Sequence, residues 1–191
     1  VAESVPERPQ RLVFRKHVGE PAADVVDVAR RHVGVGGIHG VRQPAGRDLR
    51  FISTAMKIIT TLERMGDLAV NISRRSIELA REPRSGICFH LPIITESTED
   101  LVRRALDAFV NEDVDKALKV CRDDEYVDAT YRKLIEELMQ MMSEKTIPIP
   151  RAMKIMLIAK YLERIADHAV HISEMVVFMV VGKVIRHQEA T

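Results

Sequence analysis

The sequence predicts an all-α protein of two tandem three-helix bundles, the first of which is incomplete or irregular at its N-terminus. Aromatic residues are scarce, with no Trp, three Tyr and five Phe, and this composition favours helices over a β-fold. Apolar residues recur at steps of three and four, the period of one face of a helix. The phrase LERMGDLAVNIS, residues 62–73, returns one hundred residues later as LERIADHAVHIS, residues 162–173, with eight identical positions. This repeat divides the 191-residue chain into two halves, each long enough for a small helical domain.

The first 41 residues do not fit the helices that the repeat demands before its first copy. The stretch from Gly34 to Gly40 has four glycines in seven positions. Each glycine costs about 1 kcal/mol relative to Ala in a helix interior. Its GVGG run is not framed by a strand and a well-formed helix, which argues against a nucleotide-binding loop. Residues 1–41 are therefore predicted to be an irregular segment.

One long helix is predicted from Arg47 to Arg81, so that residues 42–82 form the remainder of the first bundle. A linker is predicted over residues 83–94, where prolines and a glycine interrupt any helical pattern. The apolar stripe of the helix consists of Ile52, Ala55, Ile59, Leu62, Gly66, Ala69 and Ile72.

Three further helices are predicted in the second half of the chain. The first begins near Thr95, where hydroxyl side chains can cap it and acidic residues suit the positive end of the helix dipole. The next runs from about Val114 to Lys145. The last runs from Arg151 to about Val181, after the loop TIPIP.

These three helices are expected to pack as a bundle. Each has an apolar stripe that only another helix can cover, and short connections favour antiparallel neighbours. Residues 95–182 are therefore predicted to form a three-helix bundle, followed by a tail over residues 183–191. The stripe of the last helix consists of Ile155, Ile158, Leu162, Ile165, Ala169, Ile172 and Val176.

Charge and cysteine content argue against several classes of protein. Lys plus Arg number 29 and Asp plus Glu number 28, so the chain as a whole has no electrostatic case for binding nucleic acid. Cys88 and Cys121 are spaced for neither a disulfide scaffold nor a zinc site, and we interpret them as reduced thiols of a cytosolic protein. The apolar run at residues 175–182 is too short to cross a bilayer, so membrane association is expected only through a partner.

Each copy of the repeated phrase carries a Glu-x-x-x-Asp pair, namely Glu63 with Asp67 and Glu163 with Asp167. Four residues are just over one helical turn, so both carboxylates of a pair project from one face and can converge on one cation. Both pairs lie on the flank of an apolar stripe, where partial burial of like charges is unfavourable. A metal ion, an arginine or protonation must relieve it.

A third acidic pair, Asp124 with Asp128, lies in the helix that is expected to pack beside the last one. An antiparallel arrangement would bring it opposite Glu163 and Asp167 and gather four carboxylates. Such oxygen donors suit Mg²⁺, Ca²⁺, Mn²⁺ or iron better than a structural zinc. Acidic pairs are also common on solvated helix faces, so the residues alone leave a cation site and a solvated surface both open.

Two histidines follow Asp167 in the second copy of the phrase. At the positions of His168 and His171, the first copy has Leu68 and Asn71. Since the repeat does not preserve them, we interpret these histidines as serving surface or partner roles rather than as metal ligands.

Five segments together resemble the PhoU family of phosphate-signalling regulators: RQPAGRDLRFI, LERMGDLAVNIS, ALDAFVNED, DDEYVDATYRKL and LERIADHAVHIS. The resemblance covers residues 42–182, and the doubled phrase is its most specific element. It implies two three-helix bundles that bind multinuclear clusters of iron or zinc, with manganese or magnesium as alternatives, through E/D-x-x-x-D motifs. The ligands that it implies are Glu63 and Asp67 for the first site, and Asp124, Asp128, Glu163 and Asp167 for the second.

The same resemblance implies a function. Members of the family act in the bacterial cytoplasm as negative regulators of phosphate uptake and phosphate-starvation signalling. They contact the ATPase of the phosphate-specific ABC transporter and a phosphate-sensing histidine kinase, and a homodimer without catalytic activity is expected. Two alternatives stay open: a purely structural helical module, and a carboxylate-bridged di-metal enzyme. The lack of any Glu-x-x-His motif in the chain argues against the enzyme.

The resemblance stops abruptly on the N-terminal side of Arg42. Family members have two Leu-, Ala- and Glu-rich helices there, and the second carries an acidic motif opposite the first pair. Here Asp24 and Asp27 are three residues apart in a pattern that is not helical. Our hypothesis is that residues 1–41 are translated in a shifted reading frame, which the DNA upstream of codon 42 would test. Whether or not the frame is shifted, the first metal site is expected to lack half its ligands, and the first bundle to expose Ile52, Ile59 and Leu62.

Overall fold

Four long helices make up the regular structure of residues 46–83, 88–182 and 184, the part of the chain that a computed structural model describes. They are α1 (Gly46–Ala80), α2 (His90–Val110), α3 (Val114–Ser143) and α4 (Ile149–Val181). The all-α prediction is confirmed. No helix in these ranges is long and apolar enough to cross a membrane. The described residues do not include the predicted irregular segment, with its Asp24 and Asp27 pair, or nearly all of the predicted tail. The reading-frame hypothesis therefore also concerns residues outside the described part.

Helices α2, α3 and α4 pack against one another in all three pairings, whereas α1 packs along α4. The first three form the three-helix bundle predicted for the second half. Helix α4 is the centre of the molecule, since it contacts each of the other helices. The largest fully buried side chains of the bundle are Ile94, Leu101, Leu106, Phe109, Val120, Leu134, Leu138, Leu162, Ile165 and Ile172.

Helix α2 begins at His90, so the predicted start near Thr95 is wrong. Pro92 lies in the first turn, where the missing N–H costs little because that turn has no intrahelical acceptor. The helix is capped by Glu137 of α3, whose carboxylate accepts hydrogen bonds from the backbone N–H groups of Phe89 (2.8 Å) and His90 (3.2 Å). Burial would raise the pKa of Glu137, but these hydrogen bonds and one with the His90 ring lower it overall.

Helix α4 begins at Ile149, two residues before the predicted Arg151. Pro150 lies in its first turn, a position where the fixed φ of proline suits a helix. The helix ends at Gly182, whose φ of 76° is left-handed and whose N–H donates to the carbonyl of Phe178 at 2.9 Å. Glycine adopts this conformation without the Cβ clash that other residues meet there.

The contacts at the two ends of α1 and α4 show that these helices are antiparallel. At one end, the Arg151 guanidinium donates to the carbonyl of Leu79 at 3.2 Å. At the other end, the guanidinium carbon of Arg50 lies 3.9 Å from the position that a Cβ at Gly182 would occupy. The middle of α1 therefore faces the middle of α4, where the second copy of the repeated phrase lies.

The buried face of α1 is rotated from the predicted stripe and shares Ala55 with it. Its buried apolar residues are Phe51, Ala55, Ile58, Met65 and Leu68, offset from the prediction by about one position. The reason is that α1 carries apolar residues on two adjacent faces: one is buried in the core, and the other packs against it only in part. On the other face Ile59 is 47% exposed, as expected, whereas Ile52 and Leu62 are half-buried.

Candidate functional site

The structure brings together the four residues predicted for the second metal site, two from α3 and two from α4. Near one end of the contact, Lys160 of α4 lies 5.5 Å from the ring centroid of Tyr131 on α3. Further along, Asp128 interacts electrostatically with Glu163, and Asp124 with Asp167 and Glu163. This order is that of an antiparallel pair, as the sequence predicted. We call these four residues the acidic cluster: Asp124, Asp128, Glu163 and Asp167.

Three carboxyl groups of the acidic cluster have raised pKa values. Burial, followed by the negative charges of Asp128, Asp167 and Glu163, raises the pKa of Asp124 from 3.8 to about 7. Desolvation followed by the charge of Glu163 also raises the pKa values of Asp128 and Asp167. The buried Oδ1 of Asp124 has no hydrogen-bond partner among the described residues. A proton or a cation would relieve this repulsion.

Only one cationic side chain is in direct contact with the acidic cluster within the described part of the chain. Lys160 Nζ lies 2.8 Å from Oε1 and 2.7 Å from Oε2 of Glu163. This hydrogen bond raises the pKa of Lys160. A single ammonium group neutralises one carboxylate of four, so most of the negative charge of the cluster has no directly bonded counterion.

The chemistry of the acidic cluster suits a hard cation, but its side chains are not arranged around one. Carboxylate oxygens are the donors that Mg²⁺ and Mn²⁺ favour, and the unpartnered Oδ1 of Asp124 is such a donor. In residues 46–83 and 88–182, however, no three His, Cys, Asp or Glu side chains converge closely enough to hold a metal ion. The predicted ligands therefore carry the negative charge that a metal cation requires. Their coordination of a metal ion stays a prediction.

The first acidic pair lies in different surroundings. Glu63 and Asp67 are both exposed on α1. Helix α1 packs mainly along α4, and its Phe51 ring stacks on Phe109 of α2 with the centroids 5.9 Å apart. No second acidic pair among the described residues lies beside Glu63 and Asp67 in these contacts. The prediction of a metal site at Glu63 and Asp67 stays a prediction, without the electrostatic support that the second pair has.

Asp67 instead lines a half-open pocket of about 300 Å³ between the two copies of the repeated phrase. The other lining residues are Arg64, Leu68, Arg164 and His168. Burial lowers the pKa of the His168 ring, and the positive charges of Arg164 and Arg64 lower it further. The pocket therefore carries an excess of positive charge, whereas the acidic cluster is negatively charged.

Sequence reasoning missed Arg64 and Arg164 as candidate site residues. The available signal was the arginine of Leu-Glu-Arg, which both copies retain although hydrophobic packing does not require it. His168 lines the pocket, while His171 is exposed with its Nδ1 3.6 Å from Oε2 of Glu174. The prediction of a surface or partner role fits the exposure of His171.

Comparison with protein families gives a match to the PhoU domain over residues 35–76 and 91–176. Both copies of the repeated phrase and all four residues of the acidic cluster fall inside the matched ranges. Residues 1–34 fall outside them.

Curated relatives carry the same family name. The chain is 40% identical over 149 residues to a phosphate-specific transport system accessory protein PhoU homolog of Pseudomonas putida, covering 76% of this chain and 57% of that relative. It is 34% identical to the homolog of Clostridium acetobutylicum, covering 75% of this chain and 66% of that relative. It is also 33% identical to the accessory protein PhoU of Escherichia coli K12, covering 76% and 61%. The chain thus spans less than two thirds of the length of these relatives.

Solved structures agree in fold. The crystal structure of PhoU from Pseudomonas aeruginosa matches with a TM-score of 0.72 at 32% identity, over 88% of this chain and 90% of that one. The phosphate transport system regulatory protein PhoU from Streptococcus pneumoniae matches with a TM-score of 0.70 at 24% identity, over 93% and 81% of the two chains. At that identity, the second match concerns the fold alone.

Proposed function

The chain belongs to the PhoU family, and on that premise we propose that it is a negative regulator of phosphate uptake and phosphate-starvation signalling. The observation that carries the proposal is the family match on both halves of the chain, at residues 35–76 and 91–176. Relatives at 33% to 40% identity are named accessory proteins of the phosphate-specific transport system. An accessory role supports a regulator that acts by contact rather than by catalysis.

The proposed partners are the ATPase of the phosphate ABC transporter and a phosphate-sensing histidine kinase. The protein would act as a cytoplasmic homodimer that reaches the membrane only through these partners. The printed names of the relatives support an association with the transport system. The identity of the contacting subunits rests on the resemblance to the family.

We further propose that the acidic cluster binds a multinuclear metal centre, with iron, zinc, manganese and magnesium as candidates. When bound, the metal would supply the positive charge that four closely placed carboxylates lack. Asp124 and Asp128 would hold it from α3, and Glu163 and Asp167 from α4. The raised pKa of Asp124 supports this proposal over a purely structural module, because a carboxyl group on a solvated face would keep its ordinary pKa.

The regulatory proposal is tested in the source bacterium. Deletion of the gene is expected to raise expression of phosphate-starvation genes in phosphate-rich medium, since the restraint on signalling is lost. A plasmid copy of the wild-type gene should restore repression. Unchanged expression after deletion would refute the regulatory role whatever the protein binds.

The metal proposal is tested on purified protein by elemental analysis. Wild-type protein is expected to retain or take up iron, zinc or manganese, and the double variant Glu163→Ala/Asp167→Ala to lose most of it. The matched control is Glu96→Ala/Asp100→Ala, which removes the same residue types at the same spacing from α2, outside the acidic cluster. Equal metal content in wild type and the α4 variant would rule out the acidic cluster as the site.

A further inference from the structure

The pocket between α1 and α4 lies where the two copies of the repeated phrase meet. The antiparallel contacts at both ends of these helices set the register between them, and this register places Arg64 near His168 and Leu68 near Arg164. Arg64 and Arg164 are equivalent residues of the two repeats. A local twofold relation between the repeats therefore brings one arginine from each into the same pocket.

Both arginines are exposed, and they are among the described arginines that have no acidic partner. Within the described part of the chain, neither Arg64 nor Arg164 forms an ion pair or a hydrogen bond. Asp67 lines the same pocket, but its carboxylate is not bonded to either guanidinium. Two guanidinium groups against one carboxylate leave the pocket with an excess of positive charge. This excess disfavours a cation and favours an anion.

We propose that the pocket binds inorganic phosphate between Arg64 and Arg164, with His168 as a further polar contact. Guanidinium groups present paired N–H donors that match the oxygens of a tetrahedral anion. Arginines from two different helices can bind different oxygens of one small anion. The volume of about 300 Å³ admits phosphate together with water, and the open side gives access from solvent.

Asp67 gives the pocket a means of distinguishing phosphate from sulfate. Near neutral pH phosphate carries at least one proton, whereas sulfate carries none. The phosphate hydroxyl can donate a hydrogen bond to the Asp67 carboxylate, but sulfate would place unprotonated oxygens against it. Although Asp67 is exposed, its negative charge at the edge of the pocket repels the unprotonated oxygens of sulfate, whereas it accepts a hydrogen bond from phosphate. Asp67 is therefore assigned the role of a specificity-determining residue.

Phosphate would be the anion that the protein senses. The physiological meaning of this binding rests on the proposed regulatory function. A phosphate ion bound here would join α1 to α4, and so one repeat to the other. Phosphate binding is measured on the purified protein, so its failure and the failure of gene regulation are distinguishable.

The test is isothermal titration calorimetry of the full chain, treated with EDTA and dialysed, with inorganic phosphate at pH 7.5 and low salt. Saturable binding is expected. Arg64→Gln and Arg164→Gln should each weaken it about tenfold or more, and the double variant should abolish it. Arg103→Gln, an exposed arginine of α2, is the matched control and should leave the affinity unchanged. Asp67→Asn should bring the affinities for phosphate and sulfate together.

Several results would overturn the proposal. One is phosphate binding that survives in the double arginine variant. Another is binding that disappears with EDTA and returns with added metal, which would place phosphate on a metal ion instead. Tighter binding of ATP than of phosphate, with the same dependence on the arginines, would assign the pocket to a nucleotide.

Circular dichroism checks the fold of each variant. If the Gln variants unfold, Arg64→Lys and Arg164→Lys keep the charge and should still weaken binding, because they lose the paired donors.

Discussion

The two copies of the repeated phrase share eight identical positions but lie in different surroundings. The copy on α4 is enclosed by α1, α2 and α3, and Leu162 is 1% exposed. The copy on α1 packs on α4 alone among the described helices, and its Leu62 is only half-buried. The Glu-x-x-x-Asp pair on α4 lies beside the acidic residues of α3, whereas the pair on α1 is exposed, with Asp67 at the edge of the pocket.

The comparison teaches that the neighbouring helix determines the chemistry of the acidic motif. Glu163 and Asp167 belong to a strained acidic cluster because α3 places Asp124 and Asp128 against them. Asp67 has no such neighbours in the described part and instead lines a pocket with two arginines. The same motif therefore lies in negatively charged surroundings in one repeat and beside two arginines in the other.

The largest expected difference between the copies is in hydrophobic packing. Leu162→Ala should lower the free energy of unfolding by about 3 to 4 kcal/mol, because it leaves a cavity in a closed core. Leu62→Ala should cost only about 1 to 2 kcal/mol, since water already reaches part of the side chain. Urea denaturation followed by circular dichroism measures both. Equal losses would mean that the copy on α1 is as well covered as the copy on α4.

The next prediction concerns the charge of Asp124. Its folded pKa of about 7 exceeds its ordinary 3.8, so the folded protein binds more protons between those values and stability falls as pH rises through that interval. Asp124→Asn should therefore stabilise metal-free protein at pH 8 by about 1 to 2 kcal/mol, after allowance for solvent screening. The gain should vanish near pH 4, where the wild-type carboxyl group is protonated.

The control for this prediction is the exposed Asp67. Asp67→Asn should change stability by less than about 0.5 kcal/mol at either pH, as is usual for surface substitutions. Thermal unfolding scans at pH 4 and pH 8 give the comparison. A gain for Asp124→Asn that persisted unchanged at pH 4 would show that its cause is not the charge.

A smaller effect is expected at Lys160, where the equivalent residue of the first copy is Thr60. The Lys160 side chain is 48% exposed, but the Glu163 side chain that it contacts is only 15% exposed. Lys160→Ala should cost metal-free protein about 1 kcal/mol, because it leaves a half-buried carboxylate without its counterion. Lys57→Ala, on the exposed side of α1, serves as the control. No loss for Lys160→Ala would indicate that water solvates Glu163 well.

The helices and the acidic cluster could be predicted because the spacing of apolar and acidic residues along the sequence determines them. Apolar periodicity gave α1 and α4, and carboxylates four residues apart must share a helix face. The start of α2 could not be predicted, because its cap is Glu137, more than forty residues further along the chain. The buried face of α1 was also misassigned. Two apolar stripes fit the same period, and the tertiary packing buries one of them fully and the other only in part.

The pocket of Arg64 and Arg164 escaped prediction for a related reason. It depends on the register between two antiparallel helices, and a sequence read one helix at a time does not contain that register. The duplicated arginine was visible, but its meaning required knowing that the two copies face each other. Repeats packed about a local twofold axis bring equivalent residues together, so any polar residue that such repeats retain is a candidate for a shared site.

The smallest expected effect lies at the centre of the phrase, where Gly66 stands in α1 and Ala166 in α4. No described atom lies within 4 Å of the position that a Cβ at Gly66 would take, so an alanine fits. Gly66→Ala should raise the free energy of unfolding by about 0.5 to 1 kcal/mol, because glycine in a helix interior loses more backbone entropy. The reverse change, Ala166→Gly, should cost at least about 1 kcal/mol, since Ala166 is fully buried and its methyl group is lost as well. A loss of stability for Gly66→Ala would show that a further part of the chain packs closely on this side of α1, and the contrast between the two copies would then be smaller than the described helices indicate.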